Sequence, residues 1–215
     1  MPDRRDAEGS TGAVWLSDDE ILRTVPRLTS LEVKRVCEPC NNTWMSQIEG
    51  DAKPVLTGPI QGNPVTLRRS DTLAAATWAY KTGLIADLLS ARAAGPRTFA
   101  HLYEHKRPPD SVAILMACYG GNRFPLSAGT RQITFEMKVG DGPRTKRNAY
   151  LLTVSVGHVV FQVFGHHFQR AFDLHPSGWK HSTSIVIWPQ PEHPVRWPPR
   201  APLTDKTLRK FARDL

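Results

Sequence analysis

A chain of 215 residues with 40% hydrophobic and 22% charged residues can bury one sizeable core or two small ones, and it is too apolar for wholesale disorder. The apolar window Leu73 to Leu89 is broken by Lys81 and Asp87, and no apolar run follows the first charges, Met-Pro-Asp-Arg-Arg-Asp. No membrane span or secretory signal is therefore expected, and the cytoplasm is the expected location. A net charge of +8 with a pI near 9.7 allows a polyanionic partner. The basic residues nevertheless fall in separate groups (Arg4/Arg5, Lys34/Arg35, Arg68/Arg69 and Arg144, Lys146, Arg147) and not in one arm.

In chain order, residues 1 to 17 are polar and are expected to be loose. Ser17, followed by Asp18, Asp19 and Glu20, has the pattern of a capped helix start, with Pro26 as its stop. Leu31 to Val36 alternates as a strand does, leading into Cys37. After Cys40, Asn41 or Asn42 is placed to cap a helix with Trp44 and Ile48 on one face, and Gly50 and Pro54 are expected to limit it. Ser70 or Asp71 is the expected cap of the longest helix, running to about Arg92 before Gly95-Pro96. A short helix is expected from Phe99 to His105.

The period then changes from helical to alternating. Five strands are expected at Val112–Tyr119, Gln132–Val139, Tyr150–Val156, Val159–Phe164 and Ser184–Trp188. Gly140-Asp141-Gly142 marks a turn, and Gly157-His158 has the glycine-first form of a two-residue hairpin. Five prolines between Trp188 and Arg200 predict an extended polyproline-like strap, and Thr204 is the expected cap of a final helix carrying Leu208, Phe211 and Leu215. The fold class expected is α+β: a remnant ββα zinc knuckle, a helical middle, then an antiparallel sheet with a proline-rich strap and C-terminal helix. The divisions expected are 1–17 loose, 18–60 a partial knuckle, and 61–215 a helical segment plus β-rich domain.

Three cysteines cannot make a disulfide framework. Cys118 sits in an apolar run and is expected to be a buried core thiol. Cys37 and Cys40 have the spacing of a metal knuckle, but zinc in a structural site takes four ligands and one such pair supplies two. The later histidines offer two further pairs, His101/His105 four apart on a helix and His166-His167 after a strand; solvation or packing is the favoured reading of both. Trp44, Trp78, Trp188 and Trp197 could stack bases, with core packing the favoured alternative.

The run Cys37-Glu38-Pro39-Cys40-Asn41-Asn42-Thr43-Trp44-Met45-Ser46-Gln47-Ile48-Glu49, followed by Ala52-Lys53-Pro54-Val55-Leu56, resembles the second half of the zinc-stapled module of bacterial HNH-endonuclease-like proteins. The resemblance extends through Ala75 to Gly83, His105-Lys106-Arg107-Pro108-Pro109 and the later Trp-Pro pairs. It implies a ββα-metal, treble-clef-like unit acting on DNA. In such a unit a front hairpin brings another Cys-x-x-Cys and a histidine that activates water, while Mg²⁺ or Mn²⁺ holds the phosphate. Cys37 and Cys40 match the second cysteine pair, as zinc ligands, and Asn41 falls where the family carries His or Asn. Asn41 and Asn42 are thus helix caps or metal-adjacent residues.

The sequence departs from that pattern in two ways. No histidine occurs before His101 and no cysteine before Cys37; only carboxylates such as Asp18, Asp19, Glu20 and Glu32 precede the knuckle. Half the zinc site and the general base are missing from their family positions. A start placed too late and a degenerate protein both account for this, and the first is the favoured expectation. The function expected is an HNH-endonuclease-like, DNA-associated protein that does not cut as it stands. The alternative is a non-catalytic protein- or nucleic-acid-binding module with a vestigial Cys-x-x-Cys.

Overall fold

The structure, a computed structural model, describes residues 12–15, 23–25, 36–88, 96–137, 145–166 and 182–213, and the chain is α+β. Two short strands come first, β1 (Gly12–Trp15) and β2 (Arg23–Val25), paired antiparallel. They correct two expectations. Gly12–Trp15 lies within the stretch expected to be loose, but it gains a backbone ladder. Arg23–Val25 lies within the expected Ser17 helix, but a residue before proline is pushed out of the helical region, and Thr24 and Val25 are β-branched. The strand expected from Leu31 lies outside the described residues except for Val36, which is a bend.

Next come α1 (Glu38–Cys40), a π turn (Asn41–Met45) and α2 (Ser46–Ile60), which follow one another without a break. Gly50 and Pro54 do not stop this helix. Its buried residues Ile48, Ala52, Leu56 and Pro59 recur every three or four positions across the proline, forming one stripe against the core. An interior proline costs about 3 kcal/mol, and burying two large aliphatic side chains returns a comparable amount. Pro54 itself is exposed, so its ring bends toward solvent and away from packed neighbours.

β3 (Val65–Leu67) leads into α3 (Arg69–Asp87). The cap of α3 is Arg68 and not Ser70 or Asp71; Asp71 is the third helical residue, and its carboxylate accepts the Arg68 N–H at 2.8 Å. The helix ends at Asp87, and residues 89–95 lie outside the described residues. Ala75, Ala76, Ala79 and Gly83 are small because α3 is wedged between α2 and the sheet; a Cβ on Gly83 would meet Leu152 at 3.1 Å. α4 (Pro96–His105) follows, starting a little before the expected Phe99.

The five expected strands all form: β4 (Val112–Cys118), β5 (Leu126–Met137), β6 (Thr145–Val156), β7 (Val159–His166) and β8 (Ser184–Trp188). The turn expected at 140–142 lies outside the described residues. The sheet order is β2-β1-β5-β6-β7-β4-β8, with β1 parallel to β5 and every other pairing antiparallel. Alternate residues serve opposite faces. Ile114, Met116, Leu152, Phe161 and Val163 pack beneath α2 and α3, whereas Ala117 and Val160 face Phe124, Leu203 and Leu208.

The proline-rich segment is only partly a polyproline strap. Its residues Val195–Trp197 form β9, antiparallel to β3, and cis peptide bonds precede Pro189 and Pro198. β9 forms because Val195 and Trp197 alternate with Arg196, which puts the Trp197 ring into the core with Arg196 outside. Thr204 caps α5 (Asp205–Phe211) as expected, accepting the Thr207 N–H.

Candidate functional site

The Cys-x-x-Cys begins the long helix. Cys37 is the N-cap of α1, with extended backbone (φ −67°, ψ 143°), and its Sγ accepts the Cys40 N–H at 3.2 Å. Pro39 fits here because the first helical turn has no partner for its N–H groups. The cap therefore lies several residues ahead of Asn41 and Asn42, which fall in the π turn and are exposed. The two sulfurs are joined as a disulfide, with Cα atoms 5.3 Å apart. Cys37 is exposed and Cys40 half-buried.

A closed zinc site needs four donors. Among the described residues, no third His, Cys, Asp or Glu joins these two in a group that could hold a metal. The donors present therefore do not fit a closed structural zinc site within the described part of this chain, and thiolates in a disulfide must be reduced before either can bind a metal.

One helical turn on stands Trp44, half-buried, its Nε1 shielded and without a partner among the described residues. Tyr103 of α4 meets it edge-on, with centroids 5.7 Å apart and planes at 74°. Tyr103 is 59% exposed, the one large hydrophobic side chain so exposed among the described residues. Lys106 follows α4 with a positive φ of 53°, and its ammonium lies 4.2 Å from the Tyr103 ring centre and 4.6 Å from that of Trp44. It also donates to the Tyr103 carbonyl oxygen.

Arg107 lies 5.9 Å from the Trp188 ring and 3.9 Å from the Asp110 carboxylate. Two residues beyond Trp188, the Gln190 amide donates to the Arg69 carbonyl at 3.0 Å and accepts from the Arg69 guanidinium at 3.4 Å. The contacts form three groups: Trp44, Tyr103 and Lys106; Arg107 with Trp188 and Asp110; and Gln190 with Arg69. Beside the first group lies a hollow of about 620 Å³, walled by Trp44, Ile48 and Leu73 and carrying Asp51, Asp71 and Lys106.

The remaining sequence candidates divide. His101 and His105 come together with ring centres 4.4 Å apart. Burial first, then the adjacent His105, holds the His101 imidazole below its ordinary pKa, and its Nε2 is shielded without a partner among the described residues. His166 ends β7, and His167 lies outside the described residues. Trp197 is buried in the core, Trp78 packs on Phe161, Trp188 is buried with its ring 5.9 Å from Arg107, and Trp44 lines the candidate site itself. Cys118 is half-buried against the main core, and burial pushes its thiol up.

Sequence reasoning missed the aromatic–cation contact of Trp44, Tyr103 and Lys106. The fragment Tyr103-Glu104-His105-Lys106-Arg107 carries the signal, an aromatic three residues before a basic pair at a helix end. Comparison of the chain with protein-family models, with curated proteins and with solved structures gives no match. Among the described residues, no helix is long and apolar enough to cross a membrane.

Proposed function

We propose that the chain is an HNH-endonuclease-like, DNA-associated protein of the cytoplasm that does not cut DNA as it stands. The observation that carries the DNA part is the adjacent cations Lys106 and Arg107, Lys106 lying against the exposed Tyr103. Such cations meet phosphates, and an exposed ring offers a stacking face to an unpaired base. The HNH part is supported by the Cys-x-x-Cys that opens a helix, followed by Asn41 and Trp44. Inactivity follows from the lack of any histidine ahead of the cysteine pair, which leaves no general base where that chemistry needs one. In the reduced form, Cys37 and Cys40 are half of a zinc site, so zinc is held weakly or substoichiometrically.

Asp51 and Asp71 in the adjacent hollow favour the second reading, a non-catalytic module for a protein partner, because carboxylates repel phosphates. Titrating a short labelled duplex at low and moderate salt separates the two. DNA association requires binding without sequence preference that falls steeply with salt, and Lys106→Ala with Arg107→Ala weakens it about tenfold. No binding at low ionic strength would leave the protein-binding module. Plasmid incubated with the chain and Mg²⁺ or Mn²⁺ should stay uncut; metal-dependent nicking by the pure chain would overturn the inactive reading.

A further inference from the structure

Two adjacent sulfurs with no third metal donor beside them among the described residues have another chemistry available. We propose that Cys37 and Cys40 form a reversible dithiol–disulfide pair that exchanges with accessible disulfides, Cys37 as the attacking sulfur and Cys40 as the resolving one. The inference is independent of DNA association.

Three observations carry it. The sulfurs are joined across a single helical turn, so closing the ring needs no movement of distant elements. The Cys40 N–H also donates to Cys37 Sγ at 3.2 Å, which holds the second residue of the pair against the first. Exposure is also graded: Cys37 is open to an incoming disulfide, while Cys40 is half-buried and reaches mainly its neighbour.

The reaction balances in two steps. The Cys37 thiolate attacks one sulfur of a disulfide RSSR, forming a mixed disulfide and releasing RS⁻, which takes up the Cys37 proton from solvent. Cys40, losing its proton, then attacks the Cys37 sulfur and expels the second RS⁻. The dithiol gives up two electrons and two protons, and RSSR becomes two RSH. In reverse, two small thiols reopen the pair.

The test uses the full chain in metal-free buffer containing defined mixtures of reduced and oxidised glutathione, then acid quenching, alkylation and peptide mass analysis. The expected result is one two-electron transition in which the peptide holding Cys37 and Cys40 loses both alkyl labels and runs two hydrogen masses below its free dithiol, while Cys118 stays alkylated. Cys40→Ser should trap one glutathione on Cys37, and Cys37→Ser should trap much less on Cys40. On the unmutated reduced chain, alkylation of Cys37 should outpace that of Cys118 about tenfold, which guards against a variant that misfolds. A pair that stays reduced in every mixture, or Cys37 and Cys118 alkylating at equal rates, would overturn the proposal. The duplex titration, run on both oxidised and reduced chain, reports on DNA association separately.

Discussion

Tyr119 shows how one buried polar side chain can hold two segments together. Its hydroxyl donates to the Asp205 carboxylate at the start of α5 and accepts the Phe124 N–H at 2.8 Å. Burial, then the Asp205 bond, pushes the phenol up to about 12, and the same bond holds the Asp205 carboxyl below its ordinary value. Tyr119→Phe keeps the ring but removes both the bond to Asp205 and the acceptor of the Phe124 N–H, so it should cost about 1–3 kcal/mol, read as a lower urea midpoint at unchanged slope. An unchanged midpoint would show that water replaces the hydroxyl.

His101 gives a pH dependence of definite sign. Burial, His105 and Arg107 lower its affinity for a proton, while Asp110 and Glu104 act the other way. The unfolded chain therefore binds the proton more readily, and stability falls as pH drops below the ordinary value of 6.5 toward the lower folded value. His101→Gln should flatten the stability profile in that window. A profile that keeps its slope would assign it to another group.

At the scale of elements, the turn between β6 and β7 shows why some features were legible in the sequence. Gly157 is positive in φ (56°), the conformation its glycine-first dipeptide predicts, and its open side faces the Ile60 carbonyl at the end of α2. The next N–H, from His158, donates to that carbonyl at 3.0 Å. Gly157→Ala should cost about 1–3 kcal/mol through backbone strain and a clash with Ile60, measurable by thermal melting. The five longer strands and the Thr204 cap were legible for the same reason, each depending on neighbours in sequence, whereas β1, β2, β3 and β9 are three or four residues long and carry too little alternation to stand out. The run of α2 through Pro54 was not legible either, because what holds it is burial of Ile48, Ala52 and Leu56 against α3, a contact far from the proline in sequence.

On the scale of the whole molecule, the sequence conveyed the α+β class and the five antiparallel strands, but not the parallel addition of β1 beside β5, which joins segments more than 100 residues apart. The site was half legible. The Cys-x-x-Cys stands out as a motif, whereas the Trp44, Tyr103 and Lys106 contact depends on α4 coming to rest against the first helix, which no local pattern encodes.

The pairing of β3 with β9 bears on synthesis. β3 leaves the ribosome between α2 and α3, but its partner Val195–Trp197 is made about 130 residues later. The Trp197 ring that packs into the α2–α3 core arrives with it, as do Leu203 and Leu208, which cover the opposite face of the sheet. Until then the growing chain exposes two apolar surfaces and an unpaired strand edge, the features that draw chaperones and promote association. Closure of this core is therefore delayed: α2 and α3 can form during elongation, but they are locked in place only when residues 195–208 have emerged from the exit tunnel and returned to them.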